Sequence, residues 1–231
     1  MEDWRTQEFA YWLGLIQTDG YLRTVERKGK NRTFIGFCSK DRVLVERVKS
    51  LSLRFLGRRG AIFTNKIGVS EARFSVKNLM RRFACEGITF DDPPCPPSSI
   101  ARDNILLGAY LAGVIDGDGD VRIKRPSYPQ CGIRVSSGKS QDALAEALRK
   151  SLNCGVSISK RTKTSVLDGR IIVGTYYALE LLVSKKTQSF FRSFVVPWIV
   201  LDRKRNKIEA FTSRWAQAEL NRPLLHVKQM S

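Results

Sequence analysis

The sequence predicts an α+β protein made of two similar halves, each running helix, two strands, helix, two strands, helix. Three observations carry this reading. The stretch Leu111-Ala112-Gly113-Val114-Ile115-Asp116-Gly117-Asp118-Gly119 has a looser copy near the start, Trp12-Leu13-Gly14-Leu15-Ile16-Gln17-Thr18-Asp19-Gly20. Each copy reads as an apolar helix that ends on an acid and a glycine and runs straight into a strand. Between the copies lies Asp91-Asp92-Pro93-Pro94-Cys95-Pro96-Pro97-Ser98-Ser99, which suits neither a helix interior nor a central strand. The expected units are therefore residues 1–85, a stiff proline-rich linker at 86–103, a second half at 104–197 and a basic extension at 198–231.

Taken in order, the first motif helix is expected over 6–19, followed by a strand at 20–28, a turn at 29–31 and a returning strand at 32–39. Counting by two from Asp19 places Tyr21, Arg23, Val25 and Arg27 on the acid's side of the hairpin and Leu22 and Thr24 on the other. Asp41 is a candidate N-cap for a helix that reaches Phe55 and stops at Gly57. Two strands at 59–66 and 68–76 and a helix at 78–85 complete the half. The second half repeats this with a motif helix at 104–117, strands at 120–125 and 132–137, and a helix at 140–152 capped by Ser140. Strands at 155–163 and 170–177 follow, separated by the turn Leu167-Asp168-Gly169, and then a helix at 185–195. Beyond Pro197 there is no counterpart in the first half. Residues 198–216 read as an added helix, with Arg203-Lys204-Arg205-Asn206-Lys207 too basic to be purely structural.

The motif helices carry small residues four apart: Ala10, Gly14 and Thr18 in the first, Ala109, Gly113 and Gly117 in the second. Four apart means one face. A glycine inside a helix costs roughly 1 kcal/mol against alanine, so the stripe points to another backbone approaching closely, and the other copy is the obvious partner. Packed stripe to stripe, the helices would bring Asp19 and Asp118 together at their C-terminal ends. That place is wrong for an anion, because a helix C-terminus is already negative and the two carboxylates repel each other. A positive charge belongs there, and a divalent cation is the natural candidate.

Forty Lys and Arg against 22 Asp and Glu give a net charge of +18, which points to a polyanionic partner, nucleic acid first. No run of 18 apolar residues exists, so no membrane span is expected. The N-terminus lacks the charged-then-apolar order of a secretion signal, and the expected location is intracellular, either cytoplasmic or organellar. Five cysteines, at 38, 85, 95, 131 and 154, show no paired metal spacing and suit reduced, mostly buried thiols. The one histidine, His226, stands close to the C-terminus. Its isolation argues against a histidine general base, Ser-His-Asp chemistry and histidine-rich metal sites.

These motifs resemble the LAGLIDADG family of homing endonucleases in its single-chain, two-motif form. The second copy differs from the name-giving pattern only at Val114 and Gly117. The first departs at Trp12, Leu13, Gln17 and Thr18 but keeps Gly14 and the Asp19-Gly20 pair. The resemblance implies two pseudo-symmetric αββαββα halves with the motif helices packed at their interface and two antiparallel sheets forming a DNA-binding saddle. It implies site-specific hydrolysis of double-stranded DNA by a monomer, with Mg2+ as metal and Mn2+ as a substitute. Asp19 and Asp118 would bind metal and act in catalysis, and the carbonyl oxygens of Thr18 and Gly117 would assist. A lysine at the end of each half's last strand would polarise water or stabilise charge: Lys77 in the first half, and Lys185 or its neighbour Lys186 in the second. Products with short 3′ overhangs follow by resemblance alone.

Because extended ribbons present alternate side chains to base edges in the major groove, Arg23, Arg27, Arg32, Arg73, Arg122, Lys124, Arg134 and Lys160 are the candidate DNA contacts. Two non-identical halves favour a long, non-palindromic target. Asp116, the first acid of the second motif, is replaced by Gln17 in the first. The halves are thus inequivalent, and Gln17 raises the further reading of a first half that cuts poorly and a protein that nicks. An RNA-binding maturase acting on intron RNA and a non-catalytic DNA-binding protein are the alternatives. No intein splice-junction residues flank the chain, so the expectation is a free-standing or intron-encoded gene product.

Overall fold

The computed structural model of the chain describes residues 4–220 except for 28, 58–59, 77–78, 91–92, 124–130 and 168. The first half contains α1 (Gln7–Asp19), β1 (Gly20–Arg27), β2 (Lys30–Ser39), α2 (Arg42–Leu56), β3 (Ala61–Thr64), β4 (Ser70–Ser75) and α3 (Met80–Cys85). A short helix α4 (Ser98–Ala101) precedes the second half, which contains α5 (Asn104–Asp118), β5 (Gly119–Ile123), β6 (Cys131–Ser137), α6 (Asp142–Leu152), β7 (Val156–Leu167), β8 (Arg170–Val183) and α7 (Lys185–Phe190). A π-helical turn (Phe191–Val195) and a 3-10 turn (Val196–Trp198) lead into the last helix, α8 (Asp202–Leu220).

Each half builds an antiparallel four-stranded sheet, and the two sheets have the same strand order, β1-β2-β4-β3 and β5-β6-β8-β7. One face of each sheet packs on helices. In the first, Leu22, Ile35 and Phe74 stand side by side across β1, β2 and β4; in the second, Val121, Ile133 and Leu181 do the same across β5, β6 and β8. All but Leu22 are almost completely buried. Alternation sends Tyr21, Arg23, Asp120 and Arg122 to the opposite face. Aromatic side chains fill the first half: Trp4 stacks on Phe9 at 4.8 Å, and the Trp12 indole donates to the buried Ser52 hydroxyl at 2.8 Å, tying α1 to α2.

The two motif helices pack against each other along the predicted stripe. A methyl group added to Gly14 would be driven into the carbonyl oxygen of Tyr110, and one added to Gly113 into that of Tyr11. A methyl on Gly117 would meet the Thr18 hydroxyl. Backbone therefore meets backbone across the interface, with no room for a Cβ. Helix α5 is buried from Leu106 to Asp116, as expected of a helix that is apolar all round.

Several local expectations are corrected. Residues 86–103 are packed rather than free: Ile88, Phe90 and Ile100 are buried together with Pro94, Pro96 and Pro97. Proline has no amide hydrogen to satisfy, so it can be buried without leaving an orphan donor, and Pro97 forms the N-cap of α4. Asp41 stands at the N-cap of α2 but makes no capping bond; its carboxylate is paired with Arg203 at 2.5 Å. Ser140 does not cap α6, whose N-cap is Gln141; its hydroxyl bonds to Asp142. Strands β3 and β4 are shorter than expected, and β7 and β8 longer. The last helix begins at Asp202 because Val200 and Leu201 are held outside it, as described below. Cys38, Cys85, Cys95 and Cys154 form no disulfide, and they are not mostly buried as expected: Cys38, Cys95 and Cys154 are half-buried and Cys85 is exposed; His226 lies outside the described residues. No helix among the described residues is long and apolar enough to cross a membrane.

Gly113→Ala is expected to lower unfolding stability by about 2–3 kcal/mol or more in urea titrations, because the helix pair cannot separate without losing its core. Gly138→Ala, at a position where an added methyl meets nothing, should cost far less.

Candidate active site and nucleic-acid interface

Asp19 and Asp118 are the last residues of α1 and α5, and each is followed at once by the first strand of its sheet. Gly20 and Gly119 turn the chain: their amides donate to the carbonyls of Ile16 and Ile115. The close packing of the helices brings the two carboxylates into each other's field. Burial pushes the Asp19 carboxyl above the usual range, with Lys204 opposing the shift and Asp41 adding to it. Asp118 is pushed up to about 6 by burial and by the Asp19 charge, again against Lys204. Neither carboxylate accepts a hydrogen bond from any described residue.

The position two residues earlier does something different. Asp116 is 1% exposed and fully bonded: the Tyr11 hydroxyl donates to it at 2.8 Å, and the amides of Val200 and Leu201 donate at 2.7 and 3.2 Å. Gln17 is its counterpart. It is 5% exposed and accepts from the Tyr110 hydroxyl at 2.6 Å and from the Cys95 amide at 3.3 Å, while donating to the Thr89 carbonyl at 2.8 Å. The pattern is reciprocal: a tyrosine from each motif helix bonds the residue two before the end of the other, and that residue straps down the chain that leaves its own half. Gln17 is thus a structural partner of the segment that leaves the first half.

Lys204 is the residue that sequence reasoning did not place. It is 6% exposed, and its Nζ donates to the carbonyls of Ile115, Asp116 and Gly117 at 2.6, 2.8 and 3.2 Å. Burial pulls its ammonium below the usual lysine range, with Asp116 and Asp19 opposing. The basic run Arg203 to Lys207 was the one available signal.

The donor set suits a hard divalent cation: two carboxylates with their lone pairs free, beside the carbonyl ends of two helices. Thr18 and Gly117 stand next to the acids; the Thr18 hydroxyl turns back to the Leu15 carbonyl at 2.8 Å, and the Gly117 carbonyl keeps a second lone pair beyond its bond to Lys204. Among the described residues no group of three or more His, Cys, Asp or Glu could hold a metal. Further ligands would have to be backbone carbonyls, water or substrate. Lys77 lies outside the described residues. Lys185 opens α7 just beyond β8, but its side chain, like that of Lys186, lies outside them too.

The sheet faces turned away from the helices carry the cations. Arg23 and Arg32 are exposed on that face of the first sheet. Arg73 also lies there, paired with Glu71 and resting over the rings of Phe34 and Phe63 at 5.6 and 5.5 Å; Glu71 in turn accepts from the Tyr21 hydroxyl. In the second sheet Asp120 pairs with both Arg122 at 2.5 Å and Arg134 at 3.2 Å. Arg134 lines a cleft of about 440 Å³ with Ser136, Lys163, Ile172 and Tyr176. The Arg27 side chain and the whole of Lys124 lie outside the described residues. Lys160 is a correction: it is paired with Tyr177 on the face that carries the core residues Ile158 and Leu179. The neighbours Arg161 and Lys163 are the cations on Arg134's side.

Residues 6–81 match the family model of a LAGLIDADG-like domain. Among solved structures, the chain is similar to I-DmoI in complex with DNA and Ca, at 19% identity and a TM-score of 0.57 over 90% of this chain and 100% of that one. It is also similar to the meganuclease I-SmaMI bound to uncleavable DNA, at 15% identity and a TM-score of 0.53 over 94% and 92% of the two chains. A curated relative, an A-type ATP synthase subunit from Methanopyrus kandleri, is 28% identical over 116 residues, which are 50% of this chain and 10% of that protein. The match thus spans about a tenth of that relative's length.

The raised Asp118 carboxyl sets a pH dependence. Its folded-state value lies above the ordinary one, so its contribution to stability is fully present below about pH 4 and is lost as pH rises through about 6. In chelator at pH 7.5, Asp118→Asn should therefore melt higher than the unaltered protein, by the equivalent of about 1–2 kcal/mol. That difference should vanish as the pH is lowered from 6 to 4.

Proposed function

We propose, on the premise that this chain is a two-motif LAGLIDADG protein, that it is a site-specific endonuclease hydrolysing double-stranded DNA at a long asymmetric target with a divalent cation. The observation that carries the reading is the pair Asp19 and Asp118: two carboxylates brought together at the ends of packed helices, unpaired among the described residues, and flanked by two sheet faces that carry arginines. I-DmoI has been seen with DNA and Mn and with DNA and Ca, which supports a divalent ion here; Mg2+ is the proposed physiological one, and an intron-encoded gene the proposed source.

Asp19 and Asp118, with the carbonyls of Thr18 and Gly117, would hold the metal. When bound, such ions lower the pKa of water, neutralise charge on the phosphorus and help the leaving oxygen. The residues of the chain do the rest. Burial and mutual repulsion raise the energy of the two carboxylates when they are charged and unliganded, and a bound divalent cation would relieve both. Lys77 and Lys185 are proposed to polarise water or stabilise charge, one from each half. Arg23, Arg32 and Arg73 in one sheet, and Arg122 and Arg134 in the other, fix register and read base edges.

The halves would read unequal lengths of DNA. Strands β7 and β8 have 12 and 14 residues against 4 and 6 for β3 and β4. At about 3.3 Å per residue the second arm is longer by roughly 25 Å, which favours a non-palindromic site.

The test is incubation of the purified chain with a plasmid library of genomic or randomised inserts, in Mg2+, Mn2+ or chelator. Cleavage of both strands at a discrete site is expected with metal. Asp19→Asn and Asp118→Asn should each reduce it by about a thousandfold, in line with the loss of a group that stabilises the transition state. Tight binding without cutting under any metal would reject the endonuclease and favour a role on intron RNA.

A further inference from the structure

A lysine buried among apolar groups is unfavourable by several kcal/mol unless its charge is compensated. Methionine or leucine would fill the space that Lys204 occupies in α8, so packing alone gives no reason for a cation there. The reason lies in the charge of the place. The last turn of α5 presents its carbonyls with a partial negative charge, Asp116 and Asp118 stand on that turn, and Asp19 faces them from α1. Lys204 has three donors, and three consecutive carbonyls, those of Ile115, Asp116 and Gly117, take them at 2.6, 2.8 and 3.2 Å. Among the described residues no other Lys or Arg donates to the last turn of either motif helix. Among the described residues the end of α1 is met by the Thr18 hydroxyl and the Gly20 amide alone.

The element that carries Lys204 is tied to both halves. Asp116 fixes Val200 and Leu201 just before α8, Arg203 pairs with Asp41 at the start of α2, and Lys207 donates to the Val121 carbonyl of β5 at 3.3 Å. Ile208, one turn on from Lys204, is fully buried. The C-terminal extension thus delivers one fixed positive charge to the point where the two motif helices end.

We propose that Lys204 is a resident counter-cation and positioning residue: it neutralises the converging ends of the motif helices before any divalent ion arrives, and so keeps Gly117 and Asp118 in place. Helix α8 is then part of the active centre. The purpose of the arrangement rests on the endonuclease reading, whereas the electrostatic coupling does not.

The experiment is a set of thermal melts of the full chain in chelator at pH 7.5. Lys204→Met keeps the length of the side chain and removes the charge, and should lower the melting temperature by about 5 °C or more. Asp118→Asn should then raise it at least twice as far in the Lys204→Met background as in the unaltered chain. A control that only loses packing, Ile208→Ala, should simply add to Asp118→Asn. Unchanged melting of Lys204→Met, or a loss that adds to Asp118→Asn as the control does, would overturn the proposal. Should Lys204→Met fail to fold, recovery of a folded chain by adding Asp118→Asn upholds it, and failure of both variants rejects it. Cleavage plays no part in these melts. A chain that shows the coupling yet cuts no DNA fails only the endonuclease reading, and a metal-dependent nuclease without the coupling fails only the role of Lys204.

Discussion

The structure depends on one contact, the backbone-to-backbone approach of α1 and α5 at Gly14 and Gly113. Each glycine lies against a tyrosine carbonyl of the other helix, Tyr110 for Gly14 and Tyr11 for Gly113. The same two tyrosines reach across with their hydroxyls, Tyr11 to Asp116 and Tyr110 to Gln17. Separation and register of the helices are thus set together: the glycines fix how close they come, and the buried hydroxyls fix how far one can slide along the other. A slide would strand a buried carboxylate or amide without its donor, which is far more costly than a lost apolar contact. With separation and register both fixed, the helix ends must converge, and with them Asp19 and Asp118.

Convergence has an electrostatic consequence that the fold handles in layers. The acid two positions before the end, Asp116, accepts from three donors and serves as an anchor for the chain entering α8, although burial still pushes its carboxyl up. The acid at the end, Asp118, finds no donor among the described residues and is raised to about 6. Burial pushes both aspartates of this turn up, and hydrogen bonding is what separates them: Asp116 accepts three bonds that oppose the shift, whereas Asp118 accepts none from the described residues. In the first motif the anchoring role falls to Gln17, which can both donate and accept and so holds the linker through Thr89 and Cys95. An amide serves there because a strap needs no charge. The final acid has no such freedom, and both motifs keep it.

What could be read from the sequence was what is local. The stripe of small residues, the acid at each helix end and the passage into a strand all fall within a dozen residues, and helix periodicity turns them into a spatial statement without further information. The order of elements followed from the same periodicities. Lys204 was beyond reach, because it lies 88 residues from the carbonyl of Asp116 and nothing in a run of five polar residues says which one turns inward. Lys160 was misplaced for a related reason. A run of cations along a strand alternates between faces, and only the pairing of Ile158 with Leu179 shows which parity belongs to the core. The caps expected at Asp41 and Ser140 fit local rules, yet a tertiary partner, Arg203, took the first side chain and a local one, Asp142, the second. Residues 86–103 were rightly seen as unable to form a long element, but burial of a proline-rich segment depends on having apolar surface to cover, which composition does not reveal.

The two outer sheet faces show a further economy of charge. With +18 overall, attraction to a polyanion does not require every arginine to be free, and several are not. Glu71 holds Arg73, Asp120 holds Arg122 and Arg134, and Glu180 holds Arg161 at 2.9 Å. Ion pairs of this kind at a surface contribute only about 0–1 kcal/mol to stability, so stability does not account for placing acids among the cations of so basic a surface. What an acid on such a face does provide is direction: a guanidinium has five donors in a rigid fork, and fixing one edge on a carboxylate leaves the other aimed. Attraction comes from the cations that carry no such partner, Arg23 and Arg32 among them, while the paired arginines present a geometry already set before contact. A surface of that composition gives up some affinity that does not depend on sequence for orientation that does, which is the division of labour that the proposed site-specific cleavage would require.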